Sequence, residues 1–243
     1  MVISSQSIII KINSLVKVYG RNKIFQNLDL IVNRGEASVL IGVNGSGKTT
    51  LLRILSTLTK PDSGTIYISN HSISKHNHEI RKLVGLVTHD HMLYDQLSTY
   101  ENLKFVGKLY GLDCIDKKIS ELSKRLKLNT ILDKKVRYLS HGMKKRISIA
   151  RALIHDPLLL LLDEPESNLD HLSKTVLFDM VKQYKENGKT VLIATHNIED
   201  MAHIADRVLL ISKKKISLDE KIDHSGSFHQ INKIYDSLKN ELQ

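Results

Sequence analysis

The chain has a single cysteine, Cys114, so it can close no disulfide within itself and cannot build a thiolate metal cage. It has no apolar run approaching the ~18 residues that a bilayer-spanning helix requires, and Leu158 to Leu162 is among its longest. Met1 to Gln6 is polar and has no basic stretch followed by an apolar one, so no secretory signal is expected. Internal repeats and low-complexity segments are absent, which sets aside solenoids and arrays. Histidines are frequent, with His71, His76 and His78 close together and His89 and His91 following. No cysteine or paired carboxylate accompanies them, so polar loops account for them better than a tetrahedral metal site.

What is present is an ordinary globular composition: 243 residues, 41% hydrophobic and 26% charged. That length fits one large domain, or one domain with a subdomain inserted in it, around a substantial core. The net charge of +10 would suit nucleic acid or an anionic membrane surface if it were concentrated. It is instead spread from Lys11 to Lys239, and the longest basic runs are Lys144-Lys145-Arg146 and Lys213-Lys214-Lys215. No nucleic-acid partner is expected.

Ile- and Val-rich segments at Ile8 to Ile12, Leu15 to Val18, Leu28 to Val32 and Ala37 to Ile41 read as strands. Thr49 to Leu58 carries leucines at helical spacing, and Pro61 to Gly64 is a turn before a strand over Thr65 to Ile68. His71 to Glu79 reads as a loop and Leu83 to Val87 as a strand. From Ser98 the period changes to helical, and the middle block from Thr88 to Ile154 reads as an all-helical insertion. Leu158 to Leu162, Thr190 to Ala194 and Val208 to Ile211 have the continuous apolar character of strands buried on both faces. Leu172 to Glu186 is an amphipathic helix stopped by Gly188; the tail beyond Asp219 is polar, with a helix expected from His229 to Leu242.

Two motifs carry chemistry. Gly42-Val43-Asn44-Gly45-Ser46-Gly47-Lys48-Thr49 fits G-x-x-x-x-G-K-[ST], between a predicted strand and a predicted helix. Glycines let backbone N–H groups turn inward around phosphates, and the helix adds its positive N-terminal end. Lys48 can then reach the β- and γ-phosphates, and the Thr49 hydroxyl can bind Mg²⁺. Downstream, Leu158 to Leu162 runs into Asp163-Glu164, which puts carboxylates at the end of a buried strand. Asp163 is placed to hold Mg²⁺ and Glu164 to polarise an attacking water.

With Leu139-Ser140-His141-Gly142-Met143 before a helix, the pattern resembles the signature of ABC ATPases, usually Leu-Ser-Gly-Gly-Gln. Other parts of that family's pattern follow in order over Ile8 to Ser212. Tyr19 matches the aromatic that stacks on adenine, His89 stands where the family has a glutamine, Ser167-Asn168-Leu169-Asp170 resembles the D-loop, and His196 matches the switch histidine. The resemblance implies ATP and Mg²⁺ as cofactors. It places Tyr19, Gly42, Asn44, Gly45, Ser46, Gly47, Lys48, Thr49, Thr50, Ser140, Gly142 and Asp170 around nucleotide. Thr49, Asp163 and His89 fall around the metal, and Glu164, His196 and His89 at the chemistry. It also implies a head-to-tail dimer, with Ser140 and Gly142 of one copy facing the ATP of the other.

The implied fold is α/β: a P-loop NTPase core with a mixed sheet and helices, an antiparallel β part at the N-terminus and an inserted helical subdomain. The expected boundaries are a core of 1–87 and 155–215, a helical subdomain of 88–154 and a polar tail of 216–243. The implied function is the ATP-hydrolysing subunit of a transporter, paired with a similar ATPase and with integral membrane subunits, at the cytoplasmic face of a membrane or the matrix side of an organelle. The stretch from Val87 to Tyr94, Tyr100-Glu101-Asn102-Leu103, Leu109-Tyr110-Gly111 and the Ser-His-Gly-Met signature are similar to the haem exporter ATPases of cytochrome c maturation (CcmA-like). ABC-2 type drug or polysaccharide exporters are the alternative, and a soluble non-transport ABC ATPase is a further one. Long coiled-coil insertions and a second ATPase unit, which mark soluble relatives, are absent, as is the Asn-Lys-x-Asp segment of a GTPase. Two departures stand out: His89 introduces a group that titrates near neutrality, and His141 and Met143 replace two signature residues while Gly142 is kept.

Overall fold

The computed structural model describes residues 8–167, 169–197, 201 and 204–222. In chain order the elements are β1 (Ile8–Tyr19), β2 (Asn22–Asn33), β3 (Ala37–Ile41), α1 (Lys48–Leu55), β4 (Ser63–Ile68), β5 (His71–Ser72), α2 (Asn77–Leu83), β6 (Val84–Val87) and α3 (Thr99–Leu109). They continue with α4 (Ile115–Arg125), α5 (His141–Leu153), β7 (Leu159–Asp163), α6 (His171–Glu186), β8 (Thr190–Thr195), β9 (Arg207–Ser212) and β10 (Lys215–Lys221).

The strands make two sheets. One is antiparallel, in the order β2-β1-β4-β5; the other has six strands in the order β10-β9-β3-β8-β7-β6. Strands β9, β3, β8, β7 and β6 run parallel, and β10 returns antiparallel on β9. This is the mixed-sheet α/β core with an N-terminal antiparallel part.

Period-two alternation explains why the central strands read as unbroken apolar runs. Leu160, Leu162, Val191, Ile193, Val208 and Leu210 face a core shared with α5 and α6. Leu159, Leu161, Leu192, Ala194, Leu209 and Ile211 face a second core shared with α1 and the antiparallel sheet. A strand covered on both sides has no position where a polar side chain is free.

Several sequence expectations need correction. The first two predicted strands are one, β1, with an irregular register around Ser14, whose φ of 51° is left-handed. The first helix ends at Leu55, three residues early, with Thr57 at φ 63°. His71 to Glu79 is not all loop: it holds β5 and the start of α2. The change of period at Ser98 marks the start of α3, where Ser98 and Glu101 form a capping box, but residues 88–98 of the expected all-helical block hold no helix.

The core also does not give way to a tail at 216. Lys215–Lys221 is β10, fastened to β9 where Arg207 donates to both Asp219 oxygens at 2.6 and 2.5 Å. Its polar alternation hid it, although Ile216 and Leu218 pack inward. The helix expected over His229 to Leu242 lies outside the described residues.

His155, just past α5, ties the helices to the sheet. Its ring stacks on Tyr110 at 4.0 Å, and its Nε2 bonds the Val84 carbonyl at 3.1 Å. Burial, opposed by that hydrogen bond, takes its pKa down from the ordinary 6.5 to about 4. The folded chain therefore binds fewer protons at this site than the unfolded chain between those values, so stability from it is full above pH 6.5 and is lost as pH falls towards 4. Urea unfolding between pH 7 and about 4.5 should show a shallower acid loss in His155→Gln than in the parent; parallel slopes would contradict the assignment.

Candidate active site

The carboxyl ends of β3, β8, β7 and β6 lie side by side along one edge of the larger sheet. The phosphate loop leaves β3, His196 follows β8, Asp163 and Glu164 end β7, and His89 follows β6. Open α/β sheets bind ligands outside the carboxyl ends of their strands, where the helices that follow also point their positive N-termini.

The loop is held from both sides. Gly47 caps the N-terminus of α1 at φ 106°, and a Cβ there would lie 2.7 Å from both Ile24 Cγ2 and Phe25 Cε1 of β2. Both the left-handed backbone and the close approach require glycine. Lys48, Thr49 and Thr50 form the first turn of α1, so its positive end points at the loop. Lys48 is buried, with Nζ donating to the Gly42 carbonyl at 2.7 Å and the Val43 carbonyl at 3.2 Å. Burial lowers its pKa, opposed by the charges of Glu164 and Asp163.

Thr49 Oγ1 donates to Asp163 Oδ1 at 3.1 Å. Burial raises the Asp163 pKa, with that hydrogen bond working against it. Next along, Glu164 sits at φ 44°, and its amide donates to the Ala194 carbonyl at 2.8 Å. Its Oε1 is 3.0 Å from His196 Nδ1, and its Oε2 accepts from Ser167 Oγ at 3.3 Å. The His196 side chain is 54% exposed and that of Glu164 29%, so both are open to solvent and solute.

The remaining predicted residues are placed less directly. Tyr19 ends β1, 47% exposed, with Lys17 Nζ 5.0 Å from its ring centroid. Ser140 caps α5, its Oγ accepting from the Met143 amide at 3.3 Å. Gly142 abuts α6: a Cβ there would come within 2.9 Å of Ser173 Oγ. Close packing inside the chain is thus one demand on this position. Asp170 caps α6, accepting from the Ser173 amide at 2.7 Å, and that bond lowers its pKa. Asn168 of the D-loop motif lies outside the described residues.

His89 is exposed, and its ring contact is with His141, centroids 6.5 Å apart, rather than with Thr49 or Asp163. His91 lies closer to His141, Nε2 to Nδ1 at 3.4 Å. Burial first, then the charges of His141, Lys145, Lys144 and His89, takes the His91 pKa down to about 4. The described residues contain no group of three His, Cys, Asp or Glu side chains fit to hold a metal ion.

Sequence reasoning missed Glu166 and Lys145. Glu166 is buried, its carboxylate bonded to the Thr195 hydroxyl beside His196. Lys145 is buried in α5, with Nζ 3.5 Å from the Thr88 carbonyl. The acidic spacing Asp163-Glu164-Pro165-Glu166 was a readable signal for the first; an amphipathic helix gave none for the second.

The family model described as ABC transporter matches residues 25–167. The chain is 34% identical over 197 residues to the ABC transporter ATP-binding protein NatA of Bacillus subtilis (strain 168), covering 80% of each chain. It is 33% identical over 222 residues to the lantibiotic transport ATP-binding protein SrtF of Streptococcus pyogenes, across 91% of this chain and 95% of that one. It is 36% identical over 205 residues to the Nod factor export ATP-binding protein I of Cupriavidus metallidurans, across 84% and 68%. Among solved structures, a dimeric post-hydrolysis state of an ATP-binding cassette bound to ADP and Pi superimposes with a TM-score of 0.80 at 28% identity, over 87% of this chain and 98% of that one. The chain belongs to the ABC transporter family, and it is an ATPase of that family. None of these three relatives is described as a haem exporter, and the expected haem branch gives way to the reading below.

Gly47→Ala tests the loop. The left-handed backbone and displaced Phe25 ring should cost about 1–3 kcal/mol in chemical unfolding, together with loss of nucleotide binding in a fluorescent-ATP titration. Parental stability and binding would contradict the geometry.

Proposed function

We propose that this chain is the ATP-hydrolysing subunit of an ABC exporter of the drug or polysaccharide (ABC-2) type. One observation carries the reading: Lys48, the Thr49–Asp163 pair and the Glu164–His196 pair line a single sheet edge, with a glycine-bearing helix start at Ser140 elsewhere on the same chain. Relatives named for lantibiotic transport and Nod factor export support the export class.

ATP phosphates lie in the loop, on backbone N–H groups, Lys48 and the α1 N-terminus. The hard oxygen pair of Thr49 and Asp163 fits Mg²⁺, which supplies positive charge to the phosphate oxygens. Glu164 takes the proton of the attacking water, and His196, bonded to it, orients the carboxylate and reaches toward the γ-phosphate. Tyr19 stacks on the adenine. Two copies meet head to tail, Ser140 and Gly142 of each facing the ATP of the other, and Asp170 and His89 lie at the join. A cassette dimer with ADP and Pi supports this arrangement.

No helix among the described residues is long and apolar enough to cross a membrane. In this reading separate integral subunits span it, and the chain works at its cytoplasmic face. The segment 88–154, helical from Thr99 onward, forms the subdomain that meets them. Exposed Met92, Tyr94, Phe105 and Leu109 on that segment support this contact.

The test is tagged Glu164→Gln purified with ATP from its native membranes. Turnover should fall by about 10²–10⁴-fold, a nucleotide-bound dimer should accumulate, and polytopic membrane proteins should co-purify. Soluble partners alone, or normal turnover, would overturn the reading. Lys48→Ala should lose ATP binding in the same assay.

A further inference from the structure

The mechanism above leaves one buried carboxylate unused. Glu166 is 4% exposed, two residues beyond Glu164. Its Oε1 accepts from Thr195 Oγ1, and Thr195 is fully buried at the end of β8. The same hydroxyl accepts from the Asn197 amide at 2.8 Å. The residues before and after His196 are thus both fastened to one oxygen, which Glu166 holds. His196 sits at the apex of that short loop, its Nδ1 3.0 Å from Glu164.

We propose that Glu166 is a positioning residue for hydrolysis: by holding the Thr195 hydroxyl, it fixes the angle at which His196 meets Glu164. The inference rests on the hydrolytic reading above. Packing alone is a poor reason for a carboxylate here. Its Oε2 is buried without a hydrogen-bond partner among the described residues, an arrangement that costs stability. A leucine or methionine would fill the space without that cost.

Glu166 also exerts its charge on a buried lysine. Lys145 of α5 is 1% exposed, and Glu166 is the strongest of the acidic charges acting on it. Lys145 Nζ lies 3.5 Å from the carbonyl of Thr88, the residue before His89. Lys145 thus links the helix that begins at Ser140 to the segment after β6, while Glu166 holds the loop after β8. Burial raises the Glu166 pKa and the Thr195 bond opposes it, yet an acceptor oxygen faces Thr195 in either protonation state.

The experiment measures ATP turnover and ATP affinity of the full chain, with thermal unfolding as a check on folding. Glu166→Ala and Thr195→Val should each lower kcat roughly tenfold to hundredfold while ATP affinity stays within about twofold. Glu166→Gln keeps an acceptor and should recover most of the rate. The Glu166→Ala/Thr195→Val double variant should be no slower than the slower single one. Parental turnover in folded Glu166→Ala, affinity falling as far as kcat, a Glu166→Gln as slow as the alanine variant, or fully additive losses would each overturn the proposal. If Glu166→Ala does not fold, Thr195→Val carries the same expectation with only a hydroxyl removed. A parent chain with no turnover sinks the hydrolytic reading and this inference with it; parental turnover with unaffected variants sinks the inference alone.

Discussion

Strand β7 lies between β8 and β6 with cores on both faces, and Leu159 to Leu162 have no exposed surface. Nothing polar can be placed along such a strand without losing its hydration. The first carboxylate is Asp163, at the strand's last residue, and Glu164 follows at once on a left-handed backbone. The same constraint acts on β3 and β8, which release the phosphate loop and His196 at matching heights. The shared edge is thus a by-product of burying five parallel strands. Chemistry collects there because the layers exclude it elsewhere.

Electrostatics at that edge are a balance between burial and mutual attraction. Lys48 and Asp163 are both pushed toward neutrality by burial, and each opposes the push on the other through its charge. Lys48 meanwhile spends two donors on loop carbonyls, and Asp163 accepts from Thr49. These bonds occupy the groups that a polyphosphate and a divalent cation would otherwise claim. Charge and geometry are in place beforehand, so ligand exchange replaces internal partners rather than dragging side chains out of water.

Much of this was legible in the sequence, for identifiable reasons. Continuous Leu, Ile and Val runs could only be doubly buried strands, and Gly47-Lys48-Thr49 marked both a helix start and an anion cradle. The boundaries were less legible. Thr57 ends α1 by turning left-handed, which no periodicity announces. Strand β10 reads as polar because one face is solvent, and its pairing depends on Arg207 reaching across to Asp219. Glu166 stood in a legible acidic stretch, but its partner Thr195 is brought against it only by β8. Gly142 carries a second contact that its motif does not announce: a Cβ there would meet Ser173 Oγ of the same chain at 2.9 Å. Long-range contacts of this kind leave no local trace.

The hairpin between β9 and β10 turns through Lys213 and Lys214, both left-handed, and the Lys214 carbonyl accepts from the Gln26 amide of β2 at 3.1 Å. That bond adds to the apolar core shared by the two sheets, beside the phosphate loop. Gly47 leans on Phe25 beside it, and Gly42 backs onto the Ile211 carbonyl of β9. The loop is wedged between two strands that are themselves latched. Its conformational entropy is therefore surrendered when the chain folds rather than when an anion arrives. Affinity for an anion at this edge is consequently inherited in part from the folding of a neighbouring hairpin, and fraying of that hairpin would be felt as a looser cradle.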